Sequence, residues 1–458
     1  MPTSELYDYE PLRRPKPRAS VPEELAPRRS EAIEERFITV NERDVQPLAH
    51  QPTTKKQDSP PGHSLTFAGL FLFCFVLYVR PYEFFPQVPL LQSIALILAL
   101  ATLAVYVPTQ LALEGKLTIR PREIKLLTGL LVIALLSVPL ALDPMMAWNG
   151  FIDYFKVVLM FLVLINVVRT ERRLRLLFLL VLIVSCVLAA GAVNDYMAGR
   201  LDLGGRRIKG MIGGMFDNPN DLALHLVTII PIAIALVFSS RALRKKLFYL
   251  CAATLMTAGV VVTFSRGGFL AMFCMAAVLA WRVGQRHKWI IAMVLPVVLV
   301  AFIVFAPGGY RSRLATTNDD SSAMRLDDLK RSLFISAHHP LLGVGMSNYI
   351  LFSNSNHATH NAYTQVSSEL GATAMVIYVL FLIAPITKLR KIERETHDLR
   401  HKSPYYYLAI GLEASLMGYM VASFFASVAF LWYAYFLVGY AVCLRRLYYV
   451  SGEDASPS

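Results

Sequence analysis

The first stretch with chemical potential combines cations, glycines and a helix-start signal within residues 204–225. Arg206, Arg207 and Lys209 accompany Gly210, Gly213 and Gly214 there, and Asn220 lies where the next apolar run begins. Arginine beside a glycine-rich loop at a helix N-terminus suits a phosphate group, because both the guanidinium and the exposed backbone N–H groups attract anions. A capped helix after a flexible loop would show the same residues, so both interpretations stay open.

The second stretch is a lone charge in VVVTFSRGGFLAMF, where Arg266 separates two apolar runs. A charged side chain costs about 2.5–3.5 kcal/mol at the centre of a membrane helix and less near the interface. Such residues usually face the bundle interior and mark a functional path. The alternative is that Arg266 reaches out to lipid headgroups.

The third stretch comprises HHPLLGVGMSNY, which ends at Tyr349, and THNAYTQVSSELGATAMVIY, residues 359–378. On one helix, His360, Tyr363 or Thr364, and Ser367 would share a face, and such a polar stripe could line a cavity open to the outer side. Histidine suits general-base work near neutral pH. A histidine at a helix start can equally be a cap or an interfacial residue.

The elements that must position these residues are membrane helices. The chain has 458 residues, of which 55% are hydrophobic and only 17% charged, against about 25% charged in soluble domains. Apolar runs of roughly 17–25 residues are long enough to cross a bilayer as helices. The runs are 65–79, 88–107, 123–142, 152–168, 174–194, 220–238, 247–265, 267–284, 289–306, 364–387, 405–425 and 427–444. The pattern predicts an all-α polytopic membrane protein with about twelve transmembrane helices.

The regions outside these runs differ in composition. Residues 1–63 are rich in proline and in balanced charge, which predicts a disordered cytoplasmic tail. The membrane domain would then cover residues 64–445, with a large periplasmic loop at 307–363 between the ninth and tenth helices. Residues 446–458 would form a C-terminal cytoplasmic tail.

The distribution of Lys and Arg predicts the orientation. With the N-terminus inside, every cytoplasmic loop is basic, which places both termini in the cytoplasm. Two outer segments, 195–219 and 307–363, are also basic, which opposes the topology signal. An anionic ligand handled at the outer surface would explain this charge, although long loops translocate regardless of charge.

Taken together, the three stretches resemble the O-antigen ligase/O-antigen polymerase family of bacterial GT-C type membrane glycosyltransferases. The ligases carry a His-[Asn/Ser/Gln]-x9-Gly pattern in the large periplasmic loop, and here His360-Asn361 is followed by nine residues and Gly371. The stretches PLLGVG, FDNPNDLA and SRG are also similar to the family. After Gly371 the chain reads Ala-Thr-Ala-Met instead of a Gly-Thr-His-like element, which leaves a polymerase open.

The resemblance implies a reaction and a set of partners. A glycan would pass from undecaprenyl diphosphate to an acceptor hydroxyl at the periplasmic face of the bacterial inner membrane, with inversion. The acceptor would be lipid A core, a growing polysaccharide such as an exopolysaccharide, or another glycan. No metal, other cofactor or nucleic acid is expected, and Asp319-Asp320 and Asp327-Asp328 are interpreted as part of a solvated loop.

The resemblance also implies roles for particular residues. His360 would be the base, and Arg266 and Arg207, with Arg206 as second choice, would hold the diphosphate. Asn220 and Asn361 would contact substrate.

A small-anion transporter of the bicarbonate type is the alternative function. The outer arginines could serve an anion pathway. Transport sites usually lie at the bilayer midplane within broken helices, whereas the polar groups here cluster at the outer helix ends.

Overall fold

The computed structural model describes residues 62–119, 121–200, 208, 216, 218–283, 320–353, 358–400 and 402–450. Every regular element within these residues is helical. The helices are α1 Ser64–Val79, α2 Pro81–Phe84, α3 Pro89–Glu114, α4 Arg122–Ser137, α5 Pro144–Val167, α6 Glu171–Met197, α7 Pro219–Ser239, α8 Leu243–Val262, α9 Arg266–Val283, α10 Asp320–His338, α11 Ala362–Leu370, α12 Ala372–Glu395, α13 Tyr405–Ala422 and α14 Trp432–Val450.

Eight helical segments in the described residues are long and apolar enough to cross a membrane. They are Leu90–Glu114, Arg122–Leu140, Pro144–Val167, Glu171–Met197, Pro219–Ser239, Leu243–Val262, Ala372–Glu395 and Tyr405–Phe425, and α1 is a shorter apolar helix. This confirms a polytopic membrane architecture. The apolar run at 289–306 and residues 307–319 lie outside the described residues, so the count of twelve and the extent of the outer loop stay predictions.

Burial separates central helices from peripheral ones. In α7, 78% of the most apolar window is buried, and in the segment that contains α13 the share is 72%, against 11% in α3. In a membrane an apolar helix can lie inside the bundle or face lipid chains, because neither environment requires a polar face. Accordingly α13 packs against α7, α9, α12 and α14, and α3 presents its side chains outward.

The seventh and eighth apolar runs form separate helices, as the sequence predicts. α8 ends at Val262 and α9 begins at Arg266, with Phe264 between them in a left-handed conformation at φ 53°. α8 packs mainly on α6 and α7, whereas α9 packs mainly on α13 and α7. The break therefore sends two helices to different neighbours.

The predicted tenth helix is divided. Instead of one helix over 364–387, the chain forms the nine-residue α11 and then α12, separated by Gly371 at φ 91° and ψ 167°. A residue with a side chain rarely adopts this backbone conformation. The Gly371 N–H still bonds to the Ser367 carbonyl, so α11 ends in an ordered turn.

Ion pairs hold the end of the bundle opposite α11. Glu413 of α13 is buried and accepts from Arg282 of α9 at 2.9 Å and from Arg390 of α12 at 2.8 Å. Glu123 of α4 is also buried and pairs with Arg445 of α14 at 2.8 Å. Buried carboxylates need such partners, since an unpaired charge in an apolar interior is costly.

Candidate functional site

His360 lies two residues before α11, not on its face. Its backbone is left-handed, with φ 52°, and its N–H donates to the Ser427 hydroxyl at 2.7 Å. Histidine is among the residues that tolerate this conformation more often than most. The side chain is half-buried. The hydrogen bond to Ser427, which lies in a different part of the chain, fixes the backbone that carries the imidazole.

Asn361 is the N-cap of α11. Its Oδ1 accepts from the N–H groups of Tyr363 at 2.9 Å and Thr364 at 3.2 Å. An N-cap side chain satisfies backbone donors that have no partner within the helix. The structure therefore uses the carbonyl oxygen of Asn361 to start α11, directly after His360.

The predicted polar stripe does not face an open cavity, which corrects the sequence interpretation. Thr364 and Ser367 are buried, and the Ser367 hydroxyl lies 2.8 Å from the Ser336 hydroxyl of α10. These side chains serve helix packing instead, because α10 covers that face of α11.

Arg266 is the exposed first residue of α9 and follows a capping serine. The Ser265 hydroxyl accepts from the Gly268 N–H at 3.1 Å and donates to Oδ1 of Asn220 at 2.7 Å. Asn220, which is buried near the start of α7, thus holds the cap of α9 in place. The structure brings together two of the residues that the sequence selected in separate stretches.

The two glycines after Arg266 permit close packing. A side chain at Gly267 would lie 2.6 Å from Cβ of Phe425, and one at Gly268 would overlap Ala223 of α7. The N-terminus of α9 is therefore pressed against α7 and against the chain after α13. The partial positive charge of this helix end adds to that of Arg266.

Residues 423–431, the connection between α13 and α14, link the two predicted catalytic residues, and we call them the bridging segment. Phe425 contacts Gly267, next to Arg266, and Ser427 binds the backbone of His360. The Ala429 N–H also donates to Oε1 of Gln365 in α11 at 3.3 Å. The bridging segment thus contacts the backbone of His360 directly, and it contacts Gly267, the residue after Arg266.

Arg206 and Arg207 lie outside the described residues. Their neighbour Ile208 is buried, as is Phe216. The Phe216 ring packs edge-on against His225 of α7 at 5.0 Å.

The PLLGVG stretch closes the C-terminal end of α11. The N–H groups of Val344 and Gly345 donate to the carbonyls of Ser368 and Glu369, both at 2.9 Å. Carbonyls at a helix C-terminus have no partner within the helix, and this strand-like contact supplies one. The spacing from His360-Asn361 to Gly371 is therefore the length of one short helix with its caps.

Residues 251–379 match the family model described as O-Antigen ligase. This range contains Arg266, His360, Asn361 and Gly371. This part of the chain is therefore similar to O-antigen ligases, which supports the O-antigen ligase/polymerase family that the sequence motifs indicate. No curated protein sequence matches the chain significantly.

The family carries a functional consequence at a coarse level. The match supports an enzyme of the O-antigen ligase/polymerase type and does not favour a small-anion transporter. Together with the apolar helices, it supports a multi-pass bacterial membrane protein. Lipid-linked glycan and a lipid A core acceptor are the partners that such a family implies.

Sequence reasoning missed Glu369 in this ligase-type domain. It is buried at the end of α11, where its Oε2 accepts from the Ser347 N–H at 2.8 Å. Burial raises the pKa of the Glu369 carboxyl to about 8, and the Ser347 N–H opposes this effect. One signal was available: a glutamate within an otherwise uncharged stretch, SSELGATAMVIY.

Sequence reasoning also missed Asn348. Its Oδ1 accepts from the Asp143 N–H at 2.6 Å and its Nδ2 donates to the Asp143 carbonyl at 3.1 Å. Asp143 is in turn the N-cap of α5. The pair ties the start of α5 to the segment that closes α11.

Asp327 and Asp328 belong to α10, which corrects their assignment to a solvated loop. Asp327 pairs with Arg331 at 2.8 Å, and the buried Asp328 accepts from the Tyr349 hydroxyl at 3.3 Å. On the same helix, Arg325 lies within electrostatic range of Asp221 at the start of α7. At least one cation of the basic segment 307–363 is therefore near the start of α7.

Proposed function

We propose that the protein transfers a glycan from undecaprenyl diphosphate to an acceptor hydroxyl at the periplasmic face of the bacterial inner membrane. The transfer inverts the anomeric configuration and uses no metal. The acceptor is lipid A core in a ligase, or a growing polysaccharide in a polymerase. The bridging segment is the observation that supports this proposal best, because it anchors His360 and the Arg266 helix start together.

In this reaction His360 takes the proton of the acceptor hydroxyl. The acceptor oxygen bonds to the anomeric carbon of the donor glycan, and the bond from that carbon to the diphosphate oxygen breaks. Undecaprenyl diphosphate leaves with the negative charge. A positioned general base contributes typically 10²–10⁴-fold to such a step.

Arg266 stabilises the diphosphate charge, together with Arg207 and Arg206. Preorganised cations and helix N-termini favour a developing negative charge more than water does, because they do not have to reorient during the reaction. Asn220 supports this arrangement by holding Ser265, and Asn361 supports His360 by starting α11.

The decisive experiment compares wild type with His360→Ala and Arg266→Ala in detergent, using an undecaprenyl-diphosphate oligosaccharide with and without lipid A core. We expect both variants to stay folded and to lose at least about a hundredfold in transfer rate. His338→Ala is the matched control, because His338 is an exposed histidine on α10 whose ring packs on Phe334.

The products separate the two enzyme types. Longer lipid-linked glycans formed without added acceptor identify a polymerase, and a single transfer to the core identifies a ligase. Near-normal transfer by His360→Ala at matched protein concentration would refute the base role. Equal losses in His360→Ala and His338→Ala would show a non-specific effect of removing an outer histidine.

A further inference from the structure

A cleft lies on α12 at the end of the bundle opposite His360. Its volume is about 430 Å³, and it is lined by Thr387, Lys388, Lys391, Arg394 and Glu395. α12 begins directly after Gly371 and has 24 residues, so about 36 Å of helix separates its two ends. The cleft is therefore not part of the site around His360.

The cleft has an excess of positive charge. Three cations line it against one carboxylate, Glu395, which lies 3.3 Å from Nζ of Lys391. The nearby Arg390 points elsewhere, because its Nε is bound to the buried Glu413. Within the described residues Lys388 has no ion-pair partner. A concave site with this charge attracts an anion that offers several oxygen acceptors, as a phosphate does.

The same face of α12 continues as an apolar stripe towards the other end. Val376, Leu380 and Ile383 are 52%, 37% and 37% exposed. They follow the 3–4 residue spacing that leads on to Thr387, Lys391 and Arg394, so all six share one side of the helix. In a membrane-crossing helix, exposed apolar side chains on such a stripe face lipid chains.

The length of the stripe matches one lipid leaflet. Val376 and Thr387 are eleven positions apart, which is about 16 Å along a helix. The hydrocarbon core of a bilayer is about 30 Å thick, so each leaflet contributes about half of that. The apolar stripe and the cationic cleft together have the dimensions of an acyl chain and its headgroup.

We propose that this cleft binds the phosphate of an anionic phospholipid, whose acyl chain lies along Val376, Leu380 and Ile383. Lys388, Lys391 and Arg394 donate to the phosphate oxygens. Cationic pockets at helix ends are suited to such headgroups, because Coulomb attraction and chain burial act on one molecule. The proposal does not depend on the transferase chemistry.

The test measures lipid binding to the full chain in detergent by native mass spectrometry. Dioleoyl phosphatidylglycerol and dioleoyl phosphatidylcholine share their chains and differ in net charge. Wild type should retain the phosphatidylglycerol preferentially. Lys388→Gln should lose roughly fivefold in apparent affinity for it, and Lys388→Gln/Lys391→Gln/Arg394→Gln should lose at least about tenfold.

The matched control is Arg244→Gln/Lys245→Gln/Lys246→Gln. It also removes two lysines and one arginine, all exposed, from the start of α8, which does not line this cleft. The control should keep the phosphatidylglycerol preference of wild type. Circular dichroism and elution volume establish that each variant is folded, and the single Lys388→Gln variant provides a test with minimal perturbation.

Three outcomes would overturn the proposal. Equal retention of the two lipids by wild type would exclude a headgroup site. Equal losses of phosphatidylglycerol affinity in the two triple variants would show that general surface charge, and not the cleft, binds the lipid. Displacement of the lipid by excess glycerol 3-phosphate would show a site for a free phosphate compound, without a contribution from the acyl chain.

Discussion

At the scale of the residue, the feature that matters most is how His360 is held. Its backbone is left-handed and its N–H is bound by the Ser427 hydroxyl at 2.7 Å. A left-handed conformation at a residue other than glycine is maintained only by its surroundings. The position of the imidazole therefore depends on the bridging segment, 67 residues further along the chain.

Ser427→Ala should reduce kcat about tenfold and leave KM almost unchanged, because a misplaced base slows proton transfer without weakening substrate binding. Steady-state transfer kinetics measure the two constants. Ser427→Thr keeps the hydroxyl and should recover most of the rate. Ser423→Ala is the control, since the Ser423 hydroxyl bonds to Tyr363 and Met420. If Ser427→Thr does not recover the transfer rate, the Ser427 hydroxyl does not position His360.

Glu369 should make the fold sensitive to alkaline pH. Its carboxyl has an ordinary pKa of 4.5, which burial raises to about 8 in the folded protein. The folded state thus binds this proton more tightly than the unfolded state. This stabilisation is complete below pH 4.5, declines as the pH rises towards 8, and is absent above it. The loss is on the order of a few kcal/mol.

Thermal unfolding at pH 5.5 and pH 8.5 tests this contribution. Glu369→Gln should reduce the difference in Tm between the two conditions, because the amide keeps the shape and does not ionise. Asp398→Asn is the control, since Asp398 is fully exposed. An unchanged pH dependence in Glu369→Gln would show that another group is responsible.

At the scale of the element, α11 is notable because it is too short to be stable by itself. A nine-residue helix is below the length at which isolated helices form in water. Asn361 caps its start, and the N–H groups of Val344 and Gly345 bind its last carbonyls. The caps and the packing against α10 therefore determine its existence and its limits.

Gly343→Ala should strongly destabilise the contact between residues 340–345 and the C-terminal end of α11. Gly343 has φ 62°, and an added Cβ would overlap the backbone of Glu369, which cannot move aside easily. Gly115 has the same φ of 62° with no atom within 4 Å of its added Cβ. Gly115→Ala should cost about 1 kcal/mol from the backbone alone, and Gly343→Ala a further 1–3 kcal/mol or so from the overlap. Similar values of Tm for the two variants would contradict this explanation.

At the scale of the whole molecule, the two ends of the bundle are stabilised differently. Near His360 the contacts are caps and backbone hydrogen bonds, whereas the opposite end relies on ion pairs of the buried carboxylates Glu413 and Glu123. The ion pairs link helices that are far apart in the sequence. This end is thus suited to fix the helix arrangement on which the position of His360 depends.

Glu413→Gln should lower the free energy of unfolding by about 3–5 kcal/mol, because it leaves Arg282 and Arg390 without their shared buried carboxylate. Unfolding in mixed micelles with increasing dodecyl sulfate measures the change. Asp327→Asn removes the partner of Arg331 in an exposed pair, which should cost about 1 kcal/mol or less. Equal effects in the two variants would show that burial does not determine the value of these pairs.

The roles of the site residues selected from the sequence stay predictions, and the structure shows where several of them lie. Arg266 and Asn220 are indeed close, through Ser265, and His360 is anchored to the same bridging segment as the α9 start. The division at Gly371 was missed, because an apolar run with polar residues at its start has the composition of one long helix. Glu369 and Ser427 were missed because their importance depends on contacts with distant residues.

By itself the sequence determined the helical class, the membrane setting and most helix limits. These follow from local physics, since a segment in lipid must satisfy its backbone within itself and must be long enough to cross. Only the tertiary structure decided which loops meet: Ser427 with His360, Asn348 with Asp143, and Val344 with Ser368. Such contacts join residues that are 24 to 205 positions apart, and no local periodicity encodes them.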